Sequence, residues 1–198
     1  VVLGTMVLSA VLSTMFTILW HDHLLDAGGA VLGRSSGVDG TNLVVLGLVV
    51  PVGVWLLAQI GPLWLASRPR FDDLIDGLTF GVASGAVFAA AETIVANWAV
   101  ITQGPLHLDD PDAAQWVTLL FTAALVKPLV YGSAIGIVGA GFSGLGPAYD
   151  GFGRGYARAA AEGLVLLVAY GAGVYVLGLV DGDAGTVLAL LWALVVAG

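Results

Sequence analysis

The stretch DGLTFGVASGAVFAAAET, residues 76–93, decides the fold class of this chain. No charged residue lies between Asp76 and Glu92, and glycine recurs at every fourth position, at Gly77, Gly81 and Gly85. This pattern predicts a membrane-spanning helix, because small residues at that spacing let two helices approach closely in a bilayer. An ionisable residue inside a span is expensive, so Glu92 is predicted either to pair with an opposite charge or to serve a function.

The composition of the whole chain extends this prediction beyond residues 76–93. Of the 198 residues, 59% are hydrophobic and 10% are charged, and the mean hydropathy is +0.99. A soluble domain carries about 25% charged residues, so the chain is predicted to be an integral membrane protein. The net charge of −8 argues against nucleic acid as a partner. The absence of cysteine excludes disulfides, thiolate metal sites and cysteine nucleophiles.

Apolar runs separated by polar loops predict an all-α bundle of about six transmembrane helices, in a single domain of residues 1–198. The predicted spans are Val1–Trp20, Leu43–Ala66, Leu74–Ile101, Trp116–Leu145, Ala157–Val180 and Thr186–Ala197. Because the chain starts without methionine and stops after an apolar run, we expect it to be an excerpt of a longer protein.

The charges of the loops predict the orientation of the bundle. Arg68 and Arg70 lie between predicted spans two and three, and Arg154 and Arg158 lie between predicted spans four and five. The loops on the other side are mainly acidic. Because lysine and arginine concentrate in cytoplasmic loops, these arginine-bearing loops are predicted to be cytoplasmic. Both ends of the chain are then cytoplasmic, and the protein is expected to be a multi-pass protein of the cell membrane.

Depth along the helices predicts a partner for Glu92. Glu92 is sixteen residues beyond Asp76, at the cytoplasmic end of its span, which corresponds to ~24 Å of helix. Lys127 precedes the cytoplasmic Gly144 by seventeen residues, or ~25 Å. The two charges therefore lie at nearly the same height and are predicted to pair, directly or through water. The alternatives are a catalytic or ion-handling role for the pair, and no contact.

The residues around Glu92 also resemble a known family. The run FDDLIDGLTFGVASGAVFAAAET, residues 71–93, resembles the signature helix of the PrsW-type intramembrane proteases, relatives of the CAAX-type membrane proteases. The matching residues are Asp76, Gly77, Gly81, Gly85, Phe88, Ala89 and Glu92, and Thr93 replaces an asparagine of the family. The resemblance implies a PrsW-like fold, with Asp76, the three glycines and Phe88 in structural roles and Glu92 as the catalytic candidate.

The chain departs from the family where catalysis needs further groups. The family carries a Glu-Glu-x-x-Lys motif on the preceding span, expected here near residues 51–55, but span two contains no acid and Gln59 is its only amide. The family's histidines are expected near Tyr131 and Tyr170, and no histidine follows His107. Proton transfer needs a second group within hydrogen-bond reach. Glu92, with Lys127 and Tyr131, is therefore only a candidate set.

We therefore predict a non-catalytic PrsW-like membrane domain that acts as a membrane anchor, a scaffold or a partner-binding module. The expected partners are the lipid bilayer and either a protein partner or an attached soluble domain, and the chain could form an oligomer. No cofactor is expected. The alternatives are an active intramembrane protease that uses Glu92, and a small ion or solute transporter that uses the Glu92–Lys127 pair.

Polar residues near the ends of the spans receive simpler interpretations. His21 and His23 end span one, and His107 lies in a loop on the same side. We interpret the three histidines as solvated interfacial residues, with zinc ligation as the alternative. Arg158 and Glu162 are four residues apart on a predicted helix, so they are predicted to pair and to reach towards the membrane surface.

Overall fold

The computed structural model describes residues 2–23, 43–68, 70–71, 73–103, 120–144, 150–178 and 183–197. These residues are almost entirely helical and include no strand, so the predicted all-α membrane bundle is confirmed. Among these described residues, five helical segments are long and apolar enough to cross a membrane. We number them spans one to five: Val2–Trp20, Val45–Ala66, Leu74–Ala96, Thr122–Ser143 and Arg154–Leu177. A shorter helix, Asp183–Ala197, completes the described bundle.

Several spans are composed of more than one helical segment. Span one belongs to helix Val2–His23, and span five belongs to helix Arg154–Gly178. Span two contains the π-helical turn Val45–Val49 and the α-helices Val50–Ala58 and Ile60–Ala66. Span four contains the π-helical turn Thr122–Val126 and the α-helix Lys127–Ser143. Span three is one α-helix, and the short helix Trp98–Gln103 follows it.

Several helix boundaries differ from the predicted ones by a few residues, among them the end of span three and the start of span five. Span three was predicted to run to Ile101, but the helix ends at Ala96. The backbone of Asn97 leaves the helical conformation there, and its side-chain amide donates to the carbonyl of Thr93 at 2.9 Å. Span five begins at Arg154, three residues before the predicted start. Its first turn carries polar residues, which hydropathy alone assigns to a loop.

Two of the prolines inside the spans accompany the irregular turns. Proline has no backbone N–H, so it removes one hydrogen bond from a helix. In spans two and four the π-helical turn lies just before Pro51 and Pro128. There the N–H of Val50 donates to the Val45 carbonyl and that of Lys127 to the Thr122 carbonyl. The wider turn thus keeps the residue before each proline hydrogen-bonded within its own helix.

Spans three and four form the closest helix pair of the described bundle, and they run antiparallel. Gly77 lies against Gly139, Gly81 against Gly136, and Gly85 against Tyr131. A Cβ added to Gly81 would lie 2.7 Å from the Gly136 Cα, which is closer than real Cβ contacts. The prediction that this glycine face packs tightly is confirmed, and the partner is span four.

Span one lies parallel to span three and bonds to it through hydroxyl groups. Ser9 and Ser84 share a short hydrogen bond, and Ser13 donates to the carbonyl of Phe88 at 2.7 Å. Ser84 also donates to the Ala58 carbonyl of span two at 2.8 Å. One small polar residue therefore joins three spans in a region that water does not reach.

Span five closes the bundle against spans two and four. Gly163 lies against Ala134 of span four, and the Trp55 indole of span two donates to the Ala160 carbonyl at 3.0 Å. The shorter terminal helix packs on span five, where the Trp192 indole donates to the Ala169 carbonyl at 2.9 Å. The large side chains that are fully buried among these helices include Phe88, Ile135, Leu167, Val54, Val126 and Val130.

Candidate functional site

Glu92 and Lys127 form an ion pair between spans three and four. Lys127 Nζ lies 3.0 Å from Glu92 Oε1. The Glu92 side chain is 5% exposed and the Lys127 side chain is 18% exposed, so the carboxylate is enclosed and the lysine lies nearer the edge. The prediction that these two residues pair at one height is confirmed. In a low-dielectric interior the two charges depend on each other, because either one alone would be a buried unpaired charge.

Helix packing and a local irregularity bring the pair together. The glycine contacts of span three extend up to Gly85, which lies against Tyr131. Glu92 lies seven residues beyond Gly85, about two helical turns further along the same face. Lys127 is the first residue after the π-helical turn of span four and stands directly before Pro128. Close backbone approach thus sets the separation of the two helices near the pair.

Two tyrosines complete the surroundings of the ion pair. Lys127 Nζ lies 5.4 Å from the centroid of the Tyr131 ring, a favourable cation–π arrangement. The Tyr131 ring meets the Tyr170 ring edge to face, with the centroids 6.3 Å apart. Both phenols are buried and interact electrostatically with the Glu92 carboxylate. The structure therefore brings together the candidates Glu92, Lys127 and Tyr131, and it adds Tyr170 from span five.

Span one contributes a polar face that was not predicted to belong to the site. Hydroxyl residues occur at every fourth position of this helix and are all buried: Thr5, Ser9, Ser13 and Thr17. The spacing itself is a signal, because residues four apart share one face of a helix, and hydroxyls bond between helices in a membrane. This face packs on span three, and Phe16 beside it contacts Phe88 with the ring centroids 6.5 Å apart.

A second polar cluster lies at the other end of the bundle, away from Glu92. Gln59 accepts a hydrogen bond from the Tyr156 hydroxyl at 2.8 Å, and its side-chain amide donates to the Trp55 carbonyl at 2.8 Å. The sequence signal was the isolated amide in span two. Because its oxygen and nitrogen both have partners, we interpret Gln59 as a connection between spans two and five.

The other residues singled out from the sequence have structural surroundings. The N–H of Asp76 donates to Asp73 Oδ1 at 2.7 Å, so Asp73 caps span three and Asp76 places its charge in the first turn. A negative charge there interacts favourably with the helix dipole. Phe88 is fully buried. The predicted pairing of Arg158 with Glu162 is confirmed by an N–O distance of 2.7 Å, and both side chains are exposed.

The metal-site alternative remains a prediction. The described part of the chain contains no group of three or more histidine, aspartate or glutamate side chains that could hold a metal ion. His107 lies outside the described residues. His21 and His23 belong to the helix of span one, but their side chains also lie outside the described part.

The site offers limited proton-transfer chemistry within the described residues. Glu92 is the only buried acid among the described side chains, and no histidine side chain lies among them. The groups near it that could exchange a proton are the Lys127 ammonium and the tyrosine hydroxyls. Comparisons of the chain with protein-family models, with characterised proteins and with solved structures gave no match. The resemblance to the PrsW-type proteases therefore stays a prediction based on the matching residues.

Proposed function

We propose that this chain is a non-catalytic, PrsW-like membrane domain that serves as an anchor, scaffold or partner-binding module. The observation that carries the proposal is the 3.0 Å contact between Lys127 Nζ and Glu92 Oε1. A general base must be free to reach the proton that it removes. One oxygen of Glu92 already faces an ammonium group, so the carboxylate acts as the counter-charge of a half-buried lysine.

The surroundings of the pair support this proposal. The resemblance assigns the family's two histidines to the neighbourhood of Tyr131 and Tyr170, and both tyrosines lie at Glu92. The acidic pair of the family is expected near residues 51–55, where Val54 is fully buried in the apolar core. An intramembrane hydrolase needs groups that activate water at these positions, and here the positions hold the phenols of Tyr131 and Tyr170 and the aliphatic side chain of Val54. This is the arrangement expected of a protease fold that has lost its chemistry.

We also propose that the domain resides in the cell membrane with its arginine-bearing end in the cytoplasm. Arg68, Arg154 and Arg158 are exposed at the end of the bundle where span three begins. Trp98 is exposed beyond the opposite end of span three. Both features agree with the positive-inside rule and with aromatic residues at the membrane interface. In this orientation the Glu92–Lys127 pair lies in the outer half of the bilayer.

The test replaces both charges together. In the double variant Glu92→Gln with Lys127→Met, two buried charges disappear while the side-chain volumes change little. We expect this variant to rescue host cells that lack the protein as fully as the wild-type protein does. The matched control is Gly81→Leu, which separates spans three and four and should abolish rescue. A double variant that unfolds at the wild-type temperature yet fails to rescue would contradict the proposal.

A second candidate function, proton or ion handling by the same pair, is favoured by one specific observation. The second oxygen of the carboxylate, Glu92 Oε2, is buried and has no hydrogen-bond partner among the described residues. Such an oxygen is able to receive a proton or a ligand. Flux measurements on proteoliposomes distinguish this function from a scaffold. If the pair conducts protons, a pH difference across the membrane would dissipate with the wild-type protein and persist with Glu92→Gln.

A further inference from the structure

Spans one and three share a constant register that places Thr17 level with Glu92. Ser9 bonds to Ser84 and Ser13 bonds to the carbonyl of Phe88, so both contacts join residues 75 positions apart. The helices run in the same direction, and one further step of four residues along each leads to Thr17 and Glu92. Thr17 continues the same buried face, and its side chain is inaccessible to solvent.

The Thr17 hydroxyl differs from that of Thr5 in its hydrogen bonding. Thr5, on the same face of the same helix, donates to the carbonyl of Val2 at 2.7 Å, which is the usual way to satisfy a hydroxyl in a helix. Thr17 Oγ1 is buried and has no hydrogen-bond partner among the described residues, on its own helix or elsewhere. It therefore has a free donor and free acceptor capacity within an apolar bundle.

Glu92 supplies the complementary group at this level. Its Oε1 faces Lys127, and the Tyr131 hydroxyl also interacts with the carboxylate. Oε2 is buried without a hydrogen-bond partner in the described part of the chain. Buried polar atoms nearly always have a partner, and ordered water supplies it where protein groups do not. Two such oxygens on facing helices at one height are therefore a pair that one small ligand can satisfy.

We propose that spans one and three hold a bound water molecule between Thr17 Oγ1 and Glu92 Oε2. The water donates one hydrogen bond to Glu92 Oε2, and it forms a second hydrogen bond with the Thr17 hydroxyl. A small cation would also suit two oxygens, but the Lys127 ammonium already lies 3.0 Å from the same carboxylate and would repel it. The inference does not depend on the proposed function, because a scaffold and an ion pathway would both hydrate this carboxylate.

The experiment is solid-state NMR on the protein in liposomes, with labelled threonine and polarisation transfer from water. Thr17 and Thr5 form a matched pair, since both are buried on one face of span one and differ in whether the hydroxyl has a protein partner. We expect transfer from water to Thr17 to build up several-fold faster than transfer to Thr5. The variant Thr17→Ser, which keeps the hydroxyl, should retain the rapid transfer at position 17.

A double-mutant cycle identifies Glu92 as the second partner of the water. Thr17→Val should lower the unfolding temperature in the wild-type background and lower it less in the Glu92→Gln background. The same cycle with Thr5→Val should be additive. If transfer from water to Thr17 is as slow as transfer to Thr5, the proposal is overturned. This holds even if the double-mutant cycle shows coupling, because a direct hydrogen bond between Thr17 and Glu92 would then explain the coupling. Rapid transfer without coupling, or transfer that disappears when sodium and potassium ions are removed, would also overturn the proposal.

Discussion

The glycine contact between spans three and four allows a graded stability prediction, and Gly81 is its central position. The three atoms nearest to a methyl group added at Gly81 would all be backbone atoms of span four, and they include the Gly136 Cα at 2.7 Å and the Ile135 carbonyl carbon at 2.8 Å. Backbone atoms cannot rotate away, so Gly81→Ala must push the two helices apart. The contacts along the whole pair then loosen, and these include the segment that leads to Glu92.

The expected change in the unfolding free energy of Gly81→Ala is the difference between two opposing effects. Overpacking a well-filled interior costs about 1–3 kcal/mol, and a methyl group forced against backbone belongs at the upper end of this range. Replacing glycine by alanine within a helix returns about 1 kcal/mol, because alanine loses less conformational freedom on folding. The expected net loss for Gly81→Ala is therefore ~2 kcal/mol of unfolding free energy.

Other glycines of the chain serve as internal controls for this estimate. A methyl group added at Gly4 meets nothing within 4 Å, so Gly4→Ala should stabilise the protein by up to ~1 kcal/mol. At Gly132 the added atom would lie 3.2 Å from the carbonyl oxygen of Val82, a mild contact that a small shift relieves. Gly132→Ala should therefore have an effect between those of Gly4→Ala and Gly81→Ala.

The assay is reversible unfolding of the purified protein by increasing SDS in mixed micelles, followed by tryptophan fluorescence. The order of unfolding free energies should be Gly4→Ala, then Gly132→Ala, then Gly81→Ala, from the most to the least stable. Equal stability of Gly4→Ala and Gly81→Ala would refute the reasoning, since it would show that the two helices do not approach as closely as described.

Three further predictions concern the Glu92–Lys127 ion pair, the hydrogen bond of Tyr156 and the orientation in the membrane. Lys127→Met should cost ~3–5 kcal/mol of unfolding free energy, because it leaves Glu92 without a counter-charge. Adding Glu92→Gln should recover most of this loss. A double variant no more stable than the single one would count against the ion pair. Tyr156→Phe should cost ~1 kcal/mol by removing one hydrogen bond, measured in the same SDS titration, and an unchanged midpoint would show that this bond is dispensable. In intact cells an impermeant thiol reagent should label a cysteine at position 107 but not one at position 70 in place of Arg70, and the opposite pattern would invert the proposed orientation.

Local sequence patterns were sufficient to predict the helices and one tertiary contact. Apolar run length predicts a span because the bilayer has a fixed thickness, and the five spans lie close to their predicted positions. The contact between Glu92 and Lys127 was predictable because buried charges need partners and helix rise sets their heights. The identity of the partner helix of Gly81 was not predictable, since a small residue allows close approach without specifying which neighbour approaches.

The amino-acid sequence is enough to predict a helical membrane protein whose buried acid has a lysine within reach. The other groups around that pair become apparent once the spans are packed together. Tyr170 comes from span five, and no spacing along the chain shows that it packs against Tyr131. The register between separate helices depends on where glycines and serines let backbones approach, and it is a property of all the packed spans together. Heights along each helix can be read from the sequence and predict which buried charges lie level, whereas the uncharged neighbours across helices require the packed bundle.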